Sequence, residues 1–486
     1  MRNLINEYHQ KSRNLEPNDE QRKTLREAVV RYTENFLNSV NNPEESPAYQ
    51  AKDHGQGLMQ YAITNEGYNP DEVFQIISEH VDNGGINAAS GGHLGYIPGG
   101  GIYSASLGDY WADITNRYSG VFFASPGAVR MENHLINWMK EMVGYPASAL
   151  GNLASGGSIA NLIAIVAARD AAGINAADIP QQVIYLSEQA HHCIHKAINI
   201  AGLRECQLRY ISLDSQYRMD TGKLRQAIIE DIRQGLKPWL LIGSAGTTDT
   251  GAVDPFEDMA DIAEEYQLWF HIDAAYGGFF MLTEYGSNKF KGIERSHSII
   301  IDPHKGLFLP HGLGVALVRD GVQLQKSFAY HANYMQDATA LANEISPADI
   351  SPELTRPFRG LRMWLPLMVH GLAPFRAALE EKLLLAKYAW QELRKFENIE
   401  LGPEPELSVV IFRFLPENGN ANQFNERIIG KIHEDSRVFI SSTTIKGVFT
   451  LRLAILAFRA HLDTIDLALQ IIKEKMEETK NEAVRD

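Results

Sequence analysis

Cysteine is nearly missing: Cys193 and Cys206 are the only two in 486 residues. Two thiols exclude a disulfide framework and point to a reducing compartment, the cytoplasm. Long apolar runs are missing too, and none approaches the roughly 18 uninterrupted residues of a membrane span. The polar opening, MRNLINEYHQKSRNLEPNDE, lacks the apolar core of a signal peptide. Positive charge is in deficit, with 45 Lys and Arg against 60 Asp and Glu and a formal net charge of −15. An acidic chain without a long basic run is poorly suited to nucleic acid or an anionic membrane. Internal repeats and low-complexity segments are also lacking. What is present is a 44% hydrophobic composition, ample for a large core divided over two or three domains.

The start reads as helices. PNDEQRKTLREAVVRYTENFLNSV has a capping Asn18 or Asp19 and apolar residues at Leu25, Val29, Phe36 and Val40. DEVFQIISEHV reads as a second helix. Eight glycines then gather between Gly84 and Gly101, a density that predicts irregular backbone rather than a packed element. The middle alternates. QQVIYLS, PWLLIGSAG, LWFHIDA, HSIII and LGVALVR read as short buried strands, several of them separated by helical patterns. That alternation predicts a mostly parallel α/β sheet. From about residue 372 a long helix, the strands LSVVIFRF and GVFTLRLAIL and two further helices predict a smaller α+β domain.

Four features fall at strand ends in the middle region, where open α/β sheets bind ligands. Ser155-Gly156-Gly157-Ser158 precedes a helical pattern. Such a start offers free N–H groups to an anion, without the Gly-Lys-Ser/Thr of a Walker loop or the G-x-G-x-x-G of a dinucleotide site. His191, His192 and His195 cluster after a strand. They read as surface or capping histidines, as a metal pair at i, i+4, or as one imidazole laid flat on a planar ligand. No acidic or cysteine partner stands at a familiar spacing for a metal. Asp273 closes the strand WFHID, as a helix cap, a salt-bridge partner or a ligand contact. Lys305 ends the next strand, in SIIIDPHKG, where a lysine either snorkels to water or is used.

Taken together, a carboxylate, an amine, a histidine face and an anion cradle suit one ligand, pyridoxal 5′-phosphate (PLP). A lysine forms a Schiff base with its aldehyde. A carboxylate keeps its pyridine nitrogen protonated, and the glycine-rich helix start takes its phosphate.

HIDAAYGG followed by DPHK, with SEQAHH and GGSIAN upstream, resembles the group II PLP-dependent amino acid decarboxylases, which include the aromatic-L-amino-acid and glutamate decarboxylases. The resemblance runs from about residue 20 to 470, with the motifs in family order. It implies PLP-dependent fold type I, like aspartate aminotransferase, with a mostly parallel seven-stranded sheet. The expected divisions are 1–87, a helical segment packing on a dimer partner; 88–371, the large PLP-binding α/β domain; and 372–486, the small α+β domain. It implies that Lys305 carries the cofactor, Asp273 pairs with the pyridine nitrogen, and Ala275 and His191 cover the two ring faces. Thr248 would reach the phenolic oxygen, and Gly157, Ser158 and His304 the phosphate. FAYHANYMQ is similar to the family's mobile catalytic loop, so Tyr334 would be the general acid that protonates Cα, with His191 nearby. RPFRGLRMW resembles the segment after that loop.

GGHLGYIPGGG resembles the substrate-side segment, with Tyr96 at an aromatic position there. Ile97 stands where aromatic-specific members place a second aromatic, Gly306 replaces the frequent Trp, and FLPHGLG also departs from their pattern. Thr355 aligns near a position that separates phenolic from indolic substrates in plant relatives. The departures at Ile97, Gly306 and FLPHGLG count against an aromatic substrate and leave the cofactor chemistry intact, so the amino acid stays open. The expected reaction is decarboxylation of an L-amino acid to its amine by a cytoplasmic homodimer with active sites at the subunit interface. No metal, nucleic acid or membrane is expected to take part. The alternatives are an aldehyde synthase or another PLP lyase on the same scaffold, and a non-catalytic binding protein. Retention of Tyr334 and His191 favours simple decarboxylation, and the Lys305-Asp273 pair argues against a binding module.

Overall fold

The computed structural model describes residues 1–329 and 344–483. Tyr334 lies outside the described residues. Two helices open the chain, α1 (Arg2–Ser12) and α2 (Asp19–Ser39), and neither buries a residue. Asn18 is the cap of α2. Its side chain accepts from Gln21 N while the Gln21 side chain accepts from Asn18 N, both at 2.9 Å.

The glycine-rich segment departs from the expectation of loose backbone. Most of residues 90–97 are buried, and His93–Leu94 forms a short strand, β1. The glycines are there for close approach. A Cβ on Gly91 would lie 2.5 Å from the Arg459 carbonyl oxygen, and one on Gly92 would collide with the Arg437 carbonyl oxygen. After helix α3 (Tyr103–Thr115) the chain enters its main sheet.

That sheet has seven strands: β2 (Leu150–Ala154), β3 (Gln182–Ser187), β4 (Gln207–Ile211), β5 (Lys237–Ser244), β6 (Trp269–Ala274), β7 (Ser298–Ile301) and β8 (Gly314–Val318). Their spatial order is β2-β8-β7-β6-β5-β3-β4. Only β8 runs against the rest, antiparallel to both of its neighbours. Helix α4 (Gly157–Ala171) packs on this sheet through Ala160, Ile163, Ala164, Ala167 and Ala168. The small alanines bring its axis close to β7 and β8. Every residue of β7 is buried, which explains its unbroken Ser-Ile-Ile-Ile run: a parallel strand covered on both faces has no solvent side to alternate with. A four-residue helix, α5 (Pro303–Gly306), follows, with Pro303 in its first turn. The seven-stranded, mostly parallel sheet is the one the resemblance implied.

A second sheet closes the chain. Its strands β9 (Ile399–Leu401), β10 (Val409–Phe414), β11 (Phe439–Ile445) and β12 (Val448–Ala454) join β1 in the order β9-β10-β12-β11-β1. β1 pairs with β11 in parallel and the other contacts are antiparallel. Helices α6 (Ala373–Leu393), α7 (Ala421–Asp435) and α8 (Leu462–Ala483) complete its core through Leu385, Phe424, Ile428 and Ile472. Arg452 ties the two sheets together. It donates to Gly95 O at 2.8 Å, to Ser441 Oγ at 2.9 Å and to Thr248 O in the loop after β5.

Candidate active site

The carboxyl ends of β2, β3, β5, β6 and β7 open into one cavity of about 290 Å³. Gly157, Ser158, His191, Thr248, Asp273, Ala275, His304 and Lys305 all line it. Tyr96, Ile97 and Thr355 do not. Tyr96 is about half exposed and packs near Phe439, Ile97 is buried in the main core, and Thr355 is exposed.

Asp273 is held from two sides. Asn161 Nδ2 donates to its Oδ2 at 3.2 Å, and Ala275 N donates to its Oδ1 at 3.1 Å. Behind it runs a buried chain of hydrogen bonds. Asn161 Oδ1 lies 2.8 Å from His271 Nε2, and His271 Nδ1 lies 2.8 Å from Ser298 Oγ. Ser298 Oγ also accepts from Trp269 Nε1 at 2.9 Å. An amide oxygen only accepts, so the His271 proton sits on Nε2 and Ser298 donates to Nδ1. Burial pushes His271 down to about 4, so the ring is neutral at physiological pH.

Lys305 is not alone. Its Nζ lies 3.1 Å from Asp302 Oδ2, and the pair answers the cost of placing an ammonium at a buried strand end. Asp302 is almost wholly buried, and its Oδ1 has no hydrogen-bond partner. His304 Nδ1 donates to Leu313 O at 2.5 Å, and burial lowers the His304 pKa. His191 Nδ1 accepts from Cys193 N at 3.3 Å, and burial also lowers the His191 pKa. The Cys193 thiol is pushed up to about 12 by burial and then by Asp273, so it stays protonated and inert.

The start of α4 has no side-chain cap, so its first N–H groups are left for a ligand. Gly156 sits at φ 147°, a conformation that favours glycine. A Cβ on Gly157 would lie 2.9 Å from Asp302 Oδ2, so only glycine leaves this cradle open. Gly306 has an equally local cause, because a Cβ there would lie 2.7 Å from Phe279 Cβ.

Asn161, Asp302 and His271 carry much of this geometry, and no role for them was read from the sequence. All three stand inside the quoted motifs GGSIAN, DPHK and HIDAAYGG. Position after a strand marks a ligand contact, but not a residue acting one step behind it.

An open cradle, an oriented carboxylate, an amine and an imidazole lining one cavity fit PLP. The sequence pattern titled "Pyridoxal-dependent decarboxylase conserved domain" matches residues 69–415. The chain is 31% identical to an aromatic-L-amino-acid decarboxylase of Bacillus atrophaeus, over 91% of this chain and 93% of that protein. It is 27% identical to a phenylacetaldehyde synthase of Petunia hybrida, over 83% and 84%. The crystal structure of Oryza sativa TDC with PLP and tryptamine superposes with a TM-score of 0.89 at 24% identity, over 96% of this chain and 99% of that one.

Proposed function

The chain belongs to the pyridoxal-dependent decarboxylase family and decarboxylates an amino acid with PLP, and from that premise we propose how its own residues divide the work. Lys305 would hold the cofactor's aldehyde carbon, Asp273 its ring nitrogen, and Gly157, Ser158 and His304 its phosphate. His191 and Ala275 would cover the ring faces, with Thr248 at the phenolic oxygen. When bound, the cofactor supplies a sink for the electrons left at the substrate Cα as CO2 departs.

Asp273 holds a proton at the ring nitrogen. The Asn161 and Ala275 N–H bonds aim its carboxylate and leave its remaining acceptor capacity for that proton. Lys305 gives up a proton to solvent to act as an amine, and Asp302 Oδ2 at 3.1 Å holds its nitrogen in place. His191, neutral through burial, adds no positive charge beside the protonated ring nitrogen. Tyr334 donates the proton that reaches Cα, giving the amine. The resemblance assigns Tyr96, Ile97 and Thr355 to the substrate side, outside the cavity that a single chain lines.

The molecule we propose is a cytoplasmic homodimer, with 1–87 packing on the partner, 88–371 binding PLP and 372–486 as the small domain. Support for the dimer comes from unburied apolar residues. Leu4, Ile5, Tyr8, Val29 and Val30 are exposed on α1 and α2, and Leu107, Tyr110, Trp111 and Ile114 on α3. The two buried free cysteines suit a reducing compartment.

The convergence of Lys305, Asp273 and the α4 start on one cavity carries this reading. Its test is an L-amino-acid panel with added PLP, reading CO2 and product mass. The named activities of the relatives put tyrosine and tryptophan first, with DOPA, phenylalanine, histidine, glutamate, aspartate and 2,4-diaminobutyrate after them. We expect CO2 with the matching amine, and neither from Lys305→Ala. Turnover by Lys305→Ala would overturn the assignment of Lys305. CO2 with an aldehyde and peroxide would place the chain with the synthase relative and give Tyr334 another role.

A further inference from the structure

Asp302 opens the turn that carries Lys305, and only 1% of it is exposed. One oxygen faces Lys305 Nζ and the other, Oδ1, has no hydrogen-bond partner. A buried carboxylate oxygen left this way costs stability unless something completes it. Both oxygens press on the start of α4. Oδ2 lies 2.9 Å and Oδ1 3.3 Å from where a Gly157 Cβ would stand, and Oδ1 also lies 2.7 Å from where a Cβ on Gly314, the first residue of β8, would stand. The Gly314 Cβ position is itself 2.5 Å from the Gly156 carbonyl carbon. The acid therefore borders the N–H groups that form the anion cradle.

The charged and titratable groups around it are few. Lys305 and His304 share its turn, with His304 Nε2 at 3.8 Å from Oδ2. Burial lowers the His304 pKa, Asp302 pulls it back up, and Lys305 and His311 add to the lowering. Asp273 faces it from β6, Cys193 stands near as a thiol, and the first turn of α4 brings no acidic side chain. Burial first, and then Asp273, raise the Asp302 pKa, while Lys305 and His304 oppose the rise. An arriving phosphate brings up to two more negative charges to a place with one cation.

We propose that Asp302 takes up one proton when the cradle receives a phosphate, so that its orphaned oxygen becomes a hydroxyl donor toward the anion. One O–H bond forms, the proton comes from solvent, and no bond in the phosphate breaks. The proposal rests on reading the α4 start as the phosphate cradle. It makes cofactor retention weaken as pH rises, because the vacated proton leaves two anions side by side.

The test uses the full chain and pyridoxine 5′-phosphate, which keeps the phosphate but has no aldehyde to react with Lys305. Calorimetry in buffers of different ionisation enthalpy counts the protons taken up, across neutral and mildly alkaline pH, for wild type and Asp302→Asn. The probe's own ionisations are common to both, so the difference belongs to residue 302. We expect wild type to take up as much as one proton more. Its affinity should fall about tenfold per pH unit once Asp302 is ionised in the empty site, with a flatter profile for the variant. Infrared difference spectra of wild type alone should gain the carbonyl stretch of a protonated acid, which keeps the test independent of the variant's folding. Equal proton counts at every pH, or no such stretch, would overturn the proposal while leaving the cradle intact. A wild-type chain that binds neither this probe nor PLP would overturn the cradle and the proposal together.

Discussion

Lys305 and Asp273 take their character from what stands behind them. Asp273 is aimed by Asn161, and Asn161 is fixed in turn by His271 and Ser298. Replacing Asn161 with Ala removes one hydrogen bond to a charged group, worth about 1.5–3 kcal/mol, or roughly ten- to a hundredfold in PLP affinity. A fluorescence titration of PLP checks this, and Asn161→Gln should not restore it, because its amide reaches too far. His271 carries a second expectation. Burial holds it near 4, well below an ordinary histidine, so the unfolded chain binds a proton that the folded one refuses. Stability is therefore full above about pH 6.5 and is lost as pH falls toward 4, by on the order of 3 kcal/mol. His93, also lowered to about 4 by burial, adds to the same slope. Denaturant midpoints measured between neutral and mildly acid pH should show the loss, and His93→Gln should flatten the slope without touching the cavity. The sequence singled out Asp273 and Lys305, which line the cavity, because a lysine or carboxylate at a strand end has few other reasons to be there. It did not name Asn161 or His271, since a buried amide or imidazole looks the same whether it aims a carboxylate or merely fills space.

Among the elements, five strands of the large sheet were legible as continuous apolar runs. β2 and β4 were not: LGNLA is short and broken by Gly and Asn, and QLRYI is a half-exposed edge strand. The reversed direction of β8 leaves no mark in GVALV, because burial alone sets its composition. β1 was hidden for a different reason. Its glycines signal freedom in a loop and close approach in a packed segment, and only the neighbours tell the two apart. Two glycines make that contrast measurable. Gly91→Ala sets a methyl 2.5 Å from the Arg459 carbonyl oxygen and should cost about 1–3 kcal/mol of stability. Gly430→Ala, inside α7 with nothing within 4 Å, should gain about 0.5–1 kcal/mol. Thermal unfolding of the two variants should move in opposite directions.

At the scale of the whole molecule, α1 and α2 are the elements that do not explain themselves. Helices with no buried residue draw little from the body of their own chain, and isolated helices are marginal in water. Deleting residues 1–39 should leave the two sheets folded, convert the proposed dimer to monomer by light scattering, and abolish turnover. A deletion that stays dimeric would remove the partner role proposed for this segment.

The pairing of β1 with β11 also sets a clock. Ser441 Oγ donates to Gly95 O across 346 positions of the chain. At about 5–20 residues per second, a ribosome exposes the early strand for roughly 17–70 s before its partner exists. The second sheet therefore cannot close until its late strands have been made. During that interval the N-terminal segment depends on its glycines and short strand length to resist pairing with the wrong neighbour.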